Sequence, residues 1–327
     1  MAETENISKM ADKISKDIFG VFGWERVGPK NVNWKCVYPQ EHSKSTHPSD
    51  VVFTYRDPYR NTNVYINCDL KSYAKSSINK LNIAGAIKSL CSTIECAQVS
   101  PEWQDLYLQK GSTPDISGML FVYNHDGGYD KEFKNYLQLI DDSNFKIGSG
   151  CKVFVVEPFD VLYLNIIAND ILKMRGTKDL PDIENCTFYY PDLFRKKKND
   201  LTTNSPATVE MLLGPWQILK YKINGVTGII FYVKTHGETV EEFLYLIDYL
   251  IHYQVISFCD EILIKLPFEN KLAASNFEKS INEYSRQQSN AKEEIEKFAE
   301  RLKAKIKYES VTNIVSVFSE IAIGMEG

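Results

Sequence analysis

The sequence predicts an α/β protein built in two parts, and three observations carry that prediction. A β-hairpin pattern runs from His47 to Lys75, and an amphipathic helical stripe follows it from Ile78. A strand–helix–strand succession then occurs in each half of the chain, which implies parallel strand pairs. The length of 327 residues allows one large or two ordinary domains, with enough chain for a sizeable core. Apolar, aromatic and charged fractions of 43%, 12% and 25% are those of a globular domain.

Taken in order, Ile7 to Phe22 is predicted as a helix, with Ile7, Met10, Ile14, Ile18 and Phe22 at helical spacing and Gly23 as its stop. Trp34 to Tyr38 reads as a strand and Pro39 to His47 as a polar loop, in which His42 and His47 are loop histidines. Val51–Tyr55 and Val64–Cys68 are rich in β-branched and aromatic residues, and the Asp57–Asn63 segment between them is turn chemistry. A helix capped by Ser77 carries Leu81, Ala84, Ile87, Leu90, Cys91 and Ile94 on one stripe, with Cys91 and Cys96 read as core packing. Gly118–Tyr123 and Val153–Val156 read as buried strands around a helix near Asp130–Asp141.

The second half echoes this unit. At a shift of 110 residues, Gly118, Phe121, Gly127 and Glu132 fall on Gly228, Phe231, Gly237 and Glu242. The predicted division is therefore a first domain over 1–173, a polar linker over 174–205, and a companion α/β domain over 206–327. That companion closes with a long helix from Ser275 to Lys303 and a strand from Lys307 to Phe318.

The chemistry concentrates on the hairpin. With its bend near residue 60, partners should sum to about 120, which sets Asp50 opposite Leu70 and lets Asp69 and Lys71 flank it. Two carboxylates and an ammonium then converge at the open end of the hairpin. Like charges that close repel and need a reason to be there, and a divalent cation held between the carboxylates is the best one, the alternative being an edge hairpin with solvated charges.

Pro48-Ser49-Asp50 followed by Asp69-Leu70-Lys71 resembles the signature of the PD-(D/E)xK nuclease superfamily, with Ser49 set between the proline and the acid. The resemblance covers roughly the first half of the chain. Glu132-Phe133-Lys134 and Glu269-Asn270-Lys271 also fit an acid-x-Lys pattern, but neither has the hairpin context. The resemblance implies a restriction-endonuclease-like mixed-sheet core flanked by helices, to which the echo in the second half adds a second α/β domain. It further implies Mg²⁺, with Mn²⁺ as a substitute, held by Asp50, Asp69 and the Leu70 carbonyl, with Asp12 completing the site from the first helix. Lys71 would assist the attacking water. Lys75, Lys80 and the run Arg195-Lys196-Lys197-Lys198 are candidate phosphate contacts.

The expected function is hydrolysis of DNA phosphodiester bonds by a metal-dependent endonuclease, by analogy one acting in bacterial defence against phage. The alternative is a silent nucleic-acid-binding or assembly module on the same fold. A partner subunit or a homodimer formed through the C-terminal half would suit a non-catalytic companion domain. The net charge of −5 disfavours nucleic acid globally but not at local patches. Seven cysteines without a CxxC point to a reducing compartment. No apolar run reaches the ~20 residues a bilayer requires, so a cytoplasmic chain without membrane contact is expected. No GxxxxGK[ST] motif occurs, which disfavours a nucleotide-driven enzyme.

Overall fold

The computed structural model describes residues 12–60, 62–109, 114–138, 152–191 and 204–311. It contains two compact units that divide between Ala168 and Asn169. This division falls within the helix Pro158–Thr177 rather than after residue 173. Each unit is built around its own five-stranded mixed sheet.

In the first unit the strands are β1 (Glu25–Val27), β2 (Val32–Lys35), β3 (Thr46–Ser49), β4 (Val51–Arg56), β5 (Asn63–Tyr73), β6 (Asp115–Asn124) and β7 (Val153–Val156). The sheet order is β1-β4-β5-β6-β7, while β2 and β3 form a separate ribbon. The segment expected to be a polar loop is thus more ordered than its composition suggests. Pro39–His42 is a helical turn, and Thr46–Ser49 pairs antiparallel with Val32–Lys35.

The predicted hairpin is present as β4 and β5, paired antiparallel with Val51 opposite Cys68. Asp57 shapes its bend by accepting the backbone N–H groups of Tyr59 and Arg60 at 2.8 and 2.9 Å. β5 then runs parallel to β6, and β6 parallel to β7. The crossover between β5 and β6 is the helix Lys80–Ala97, which starts at Asn79 rather than Ser77. The Asn79 side chain accepts the Asn82 N–H at 3.0 Å, the ordinary chemistry of an N-cap.

Ile83, Leu90 and Ile94 of this helix are buried with Leu120 and Val122 of β6. The helix approaches the sheet closely at Gly118, where an added Cβ would stand 2.9 Å from Ile94 and 3.0 Å from Leu90. A glycine is needed there for space.

In the second unit the strands are β8 (Cys186–Phe188), β9 (Trp216–Ile223), β10 (Val226–Val233), β11 (Glu261–Leu266) and β12 (Ile306–Ser310), ordered β12-β11-β10-β9-β8. β8 lies inside the segment expected as a linker, where three residues within a polar stretch left no periodic signal. The long C-terminal helix is two helices, Ala273–Gln288 and Lys292–Lys305, because Ser289 takes an extended conformation.

Strand directions are the same in both sheets. β1-β4-β5 and β8-β9-β10 are antiparallel runs, while β5-β6-β7 and β10-β11-β12 are parallel. The sequence echo set β6 against β10, but the topology sets β5 against β10. The echo followed a shared apolar Gly-initiated strand pattern, which does not distinguish one buried strand from its neighbour.

Gly118→Val is expected to overpack the helix–sheet contact and cost about 1–3 kcal/mol. Urea unfolding at neutral pH checks this, and an unchanged midpoint would mean the helix can move away from β6 at little cost.

Candidate active site

The hairpin register places the acids. Val51 opposite Cys68 means that partners sum to 119, one less than expected. Continued by one residue, it brings Asp50 opposite Asp69, and directly opposed residues of an antiparallel pair share a face. Lys71 lies two residues further on the same face. A register sum of 120 would have put Asp50 and Asp69 on opposite faces, so the one-residue correction is what makes the site.

Asp50 occupies the junction between β3 and β4 and is 8% exposed. Its carboxylate accepts the Leu70 N–H at 2.7 Å, and its carbonyl accepts the Asn31 N–H at 2.8 Å. Behind it, buried Ser49 donates to Asn67 Oδ1 at 2.5 Å and accepts Trp34 Nε1–H at 3.0 Å. Trp103 Nε1–H reaches the same pair, at 3.3 and 3.2 Å. The residue inserted between Pro48 and the acid therefore holds the structure together locally, because its hydroxyl ties the β3–β4 junction to β5 and to the helix Pro101–Tyr107.

Lys71 Nζ lies 2.6 Å from Asp69 Oδ1, with the two side chains 33% and 14% exposed. Burial pushes the Asp50 carboxyl up to about 6; the charge of Asp69 and a shared side-chain hydrogen bond push the same way, against the Leu70 N–H and Lys71. Burial opposes the charge on Lys71, but the Asp69 carboxylate, with Asp50 adding, holds its pKa above the ordinary lysine value. Lys71 is thus an ammonium, able to donate to a water or a phosphate and unsuited to removing a proton.

The remaining expected residues lie as follows. Asp12 is engaged elsewhere: its carboxylate is held by Lys30 and Arg26, and the Lys30 hydrogen bond leads the causes that keep its pKa low. Its charge is thus already balanced by two cations. Lys75 is exposed and pairs with Asp130 at 2.8 Å, and Lys80 is exposed at the start of its helix. Arg195, Lys196, Lys197 and Lys198 lie outside the described residues. Ser49, Asn67 and Asn31 were missed because their roles are to hold the junction, and no spacing rule marks them.

The raised pKa of Asp50 has a testable sign. Its folded value of about 6 exceeds the ordinary 3.8, so its stabilising contribution is complete below pH ~4 and is lost as pH rises through 6. Asp50→Asn escapes this loss. In EDTA at pH 7.5 the variant is expected to be more stable than the wild type by about 1–3 kcal/mol. Thermal melts should show the difference vanish near pH 4, and a less stable variant at pH 7.5 would contradict the assigned burial effect.

Residues 1–160 match the family model described as the GAPS4 protein PD-(D/E)XK nuclease domain. Comparison with curated proteins and with solved structures gives no match. The family match spans the hairpin, the β2–β3 ribbon and all three residues of the acid–acid–lysine set. Two acids and a lysine on one hairpin face with a mixed sheet around them agree with that match, and residues 1–160 are similar to a PD-(D/E)XK nuclease domain.

Proposed function

We propose that this domain is a Mg²⁺-dependent endonuclease that hydrolyses DNA phosphodiester bonds, and that its role is defence against phage or other foreign DNA. The observation that carries the reading is the Asp50–Asp69 carboxylate pair, close enough for Asp69 to help raise the Asp50 pKa, with Lys71 at 2.6 Å from Asp69. Two close carboxylates, one of them with its pKa pushed up to about 6 by burial and by its neighbour, form a donor set suited to a hard divalent ion. Asp50 and Asp69 would hold it, together with the Leu70 carbonyl. In an extended strand a residue's C=O points to the same side as its N–H, and the Leu70 N–H faces Asp50.

When bound, the ion supplies a Lewis acid that lowers the pKa of a water and offsets charge on the phosphoryl oxygens. The protein's own residues do the rest. Asp50 is fixed by backbone hydrogen bonds at both its carboxylate and its carbonyl, so it keeps its position as the site fills. Lys71, held protonated, donates to the attacking water or to a non-bridging phosphate oxygen as charge develops there. Ser49 and Asn67 keep the two strands in register behind the carboxylates.

The DNA substrate rests on the resemblance of this core to nucleases of that class, and the defence role on the same analogy. Mn²⁺ is expected to replace Mg²⁺. Among the described residues no helix is long and apolar enough to cross a membrane.

The test incubates the full chain, alone and with candidate partner proteins, with plasmid, linear and single-stranded DNA and with RNA, with and without Mg²⁺. Asp69→Ala is expected to lose at least about 100-fold in cleavage rate while its melting temperature stays within a few degrees of wild type. Lys71→Ala is expected to be similarly inactive yet still to show metal-dependent thermal stabilisation, which separates its role from that of the acids. Cleavage by Asp69→Ala at the wild-type rate would remove the activity from this hairpin. Nucleic-acid binding by the wild type without cleavage under any of these conditions would favour a silent binding module.

A further inference from the structure

Four side chains away from the Asp50–Asp69 pair converge on one point. Cys36 follows β2, His42 ends the helical turn Pro39–His42, His47 is on β3, and Cys96 is near the end of the helix Lys80–Ala97. One donor atom from each lies within 4.8 Å of all the others. Cys36, His47 and Cys96 are buried, and the His42 side chain is 6% exposed. We propose that these residues bind a structural Zn²⁺ ion, with Cys36 and Cys96 as thiolates and His42 and His47 as neutral imidazoles.

The spacing of the four donors is the first argument. Tetrahedral zinc with Zn–S near 2.3 Å and Zn–N near 2.0–2.1 Å requires S···S of ~3.8 Å, N···N of ~3.3 Å and S···N of ~3.6 Å. The structure has Cys36 Sγ to Cys96 Sγ at 3.7 Å and His42 Nδ1 to His47 Nε2 at 3.4 Å. Both sulfurs lie 3.4 Å from His42 Nδ1. These are four of the six edges of a tetrahedron of the size zinc needs, the remaining two are no longer than 4.8 Å, and 3.7 Å is far too long for a disulfide.

The hydrogen bonds around the cluster are the second argument. His42 turns Nε2 to the Glu95 carboxylate at 3.2 Å; a carboxylate only accepts, so Nε2 carries the proton and the Nδ1 lone pair faces the cluster. Thr93 Oγ1 donates its single hydrogen to the Ser89 carbonyl, at 3.0 Å. It can then only accept from His47 Nδ1 at 3.2 Å, which leaves the His47 Nε2 lone pair facing the cluster. Each histidine thus has an outer partner that fixes the tautomer a metal ligand requires. Two imidazole lone pairs at 3.4 Å from each other, with two sulfurs beside them, leave a place that a cation satisfies. An S₂N₂ tetrahedron is zinc chemistry and unlike the oxygen set at Asp50 and Asp69.

Such an ion would fasten the β2–β3 ribbon to the end of the Lys80–Ala97 helix. The pattern Cys36-x5-His42-x4-His47 with a distant Cys96 is a fold-dependent ligand set, so its fourth member cannot be found by spacing alone.

The experiment measures metal content of the full chain by mass spectrometry after dialysis against EDTA, which strips weakly held ions. About one zinc per chain is expected for wild type and for Asp50→Ala, and less than about a fifth of that for Cys36→Ser and Cys96→Ser. A mercurial reagent that modifies the thiols should release the zinc from the wild-type chain. Cobalt reconstitution should give the intense visible bands of a tetrahedral site. Because a chain without its zinc can fail to fold, His42→Cys serves as the companion variant: it keeps four ligands, should keep about one zinc, and should shift the cobalt bands towards those of three thiolates. A wild-type chain that takes up no zinc on reconstitution, an octahedral cobalt spectrum, or full zinc content in both serine variants would overturn the proposal. So would recovery of Cys36 and Cys96 as a disulfide from protein kept under reducing conditions.

Discussion

The candidate site of the first unit rests on one unfavourable contact, the burial of the Asp50 carboxylate beside that of Asp69. Two acids at the end of a ladder repel each other, and burial raises the cost of ionising Asp50. The fold meets this with the Leu70 N–H and the Lys71 ammonium, and even so Asp50 is held at a pKa of about 6. A pair in this condition is held by its scaffold, since relaxation alone would move the acids apart. The scaffold is visible in the Ser49–Asn67 hydrogen bond, the two tryptophan N–H groups aimed at it, and the Asn31 N–H on the Asp50 carbonyl. Strained electrostatics supported by rigid hydrogen bonding is what a site built to receive a cation requires.

How much of this was legible depended on range. The β4–β5 hairpin could be read because its two apolar runs and its turn are contiguous, and the acid-x-Lys set could be read because it lies on one strand. The register could not be read to within one residue, since the seven-residue turn admits several bends and the Asp57 side chain selects one. That single residue decides whether the acids share a face. The helix cap moved from Ser77 to Asn79 because a 3₁₀ turn occupies Lys75–Ser77, and both residues are competent caps by type. The β2–β3 ribbon stayed hidden because Thr46–Ser49 contains a proline and little β-branched sequence. What holds that ribbon comes from a helix far along the chain.

The second unit shows what the same arrangement looks like without the acids. Its sheet repeats the directions of the first, with β9–β10 in the place of β4–β5 and the helix Val240–His252 in the place of Lys80–Ala97. Counted from the last hairpin pair, Val51–Cys68 in one sheet and Trp216–Val233 in the other, Pro215, Lys234 and His236 occupy the positions of Asp50, Asp69 and Lys71. No carboxylate stands at either acid position. A proline and two bases cannot hold a divalent cation by the chemistry of the first unit. Instead, the second unit places a buried charge inside its sheet, where Lys265 of β11 donates to Asp170 at 2.9 Å and Tyr232 of β10 donates to the same carboxylate at 2.7 Å. That carboxylate is balanced by a cation and a hydroxyl, in contrast to the Asp50–Asp69 pair, and it lines a polar pocket with Lys173, Tyr221 and Glu309.

The zinc ligands and the acids meet through β3. His47 is three residues before Asp50, and Ser49, the anchor of the β3–β4 junction, lies between them. β2 contributes Trp34 to the Ser49 network, and Cys36 follows that strand by one residue. A ribbon of two four-residue strands is marginal on its own, since isolated hairpins bury too little to persist. Its apolar contribution is confined to Trp34, Cys36 and their neighbours. A metal that ties Cys36, His42 and His47 to Cys96 would therefore hold the ribbon against the helix and, through Ser49, keep Asp50 at the end of its strand. In that arrangement one ion serves folding and the other serves chemistry. The two are kept apart by ligand type, with sulfur and nitrogen at the ribbon and oxygen at the hairpin.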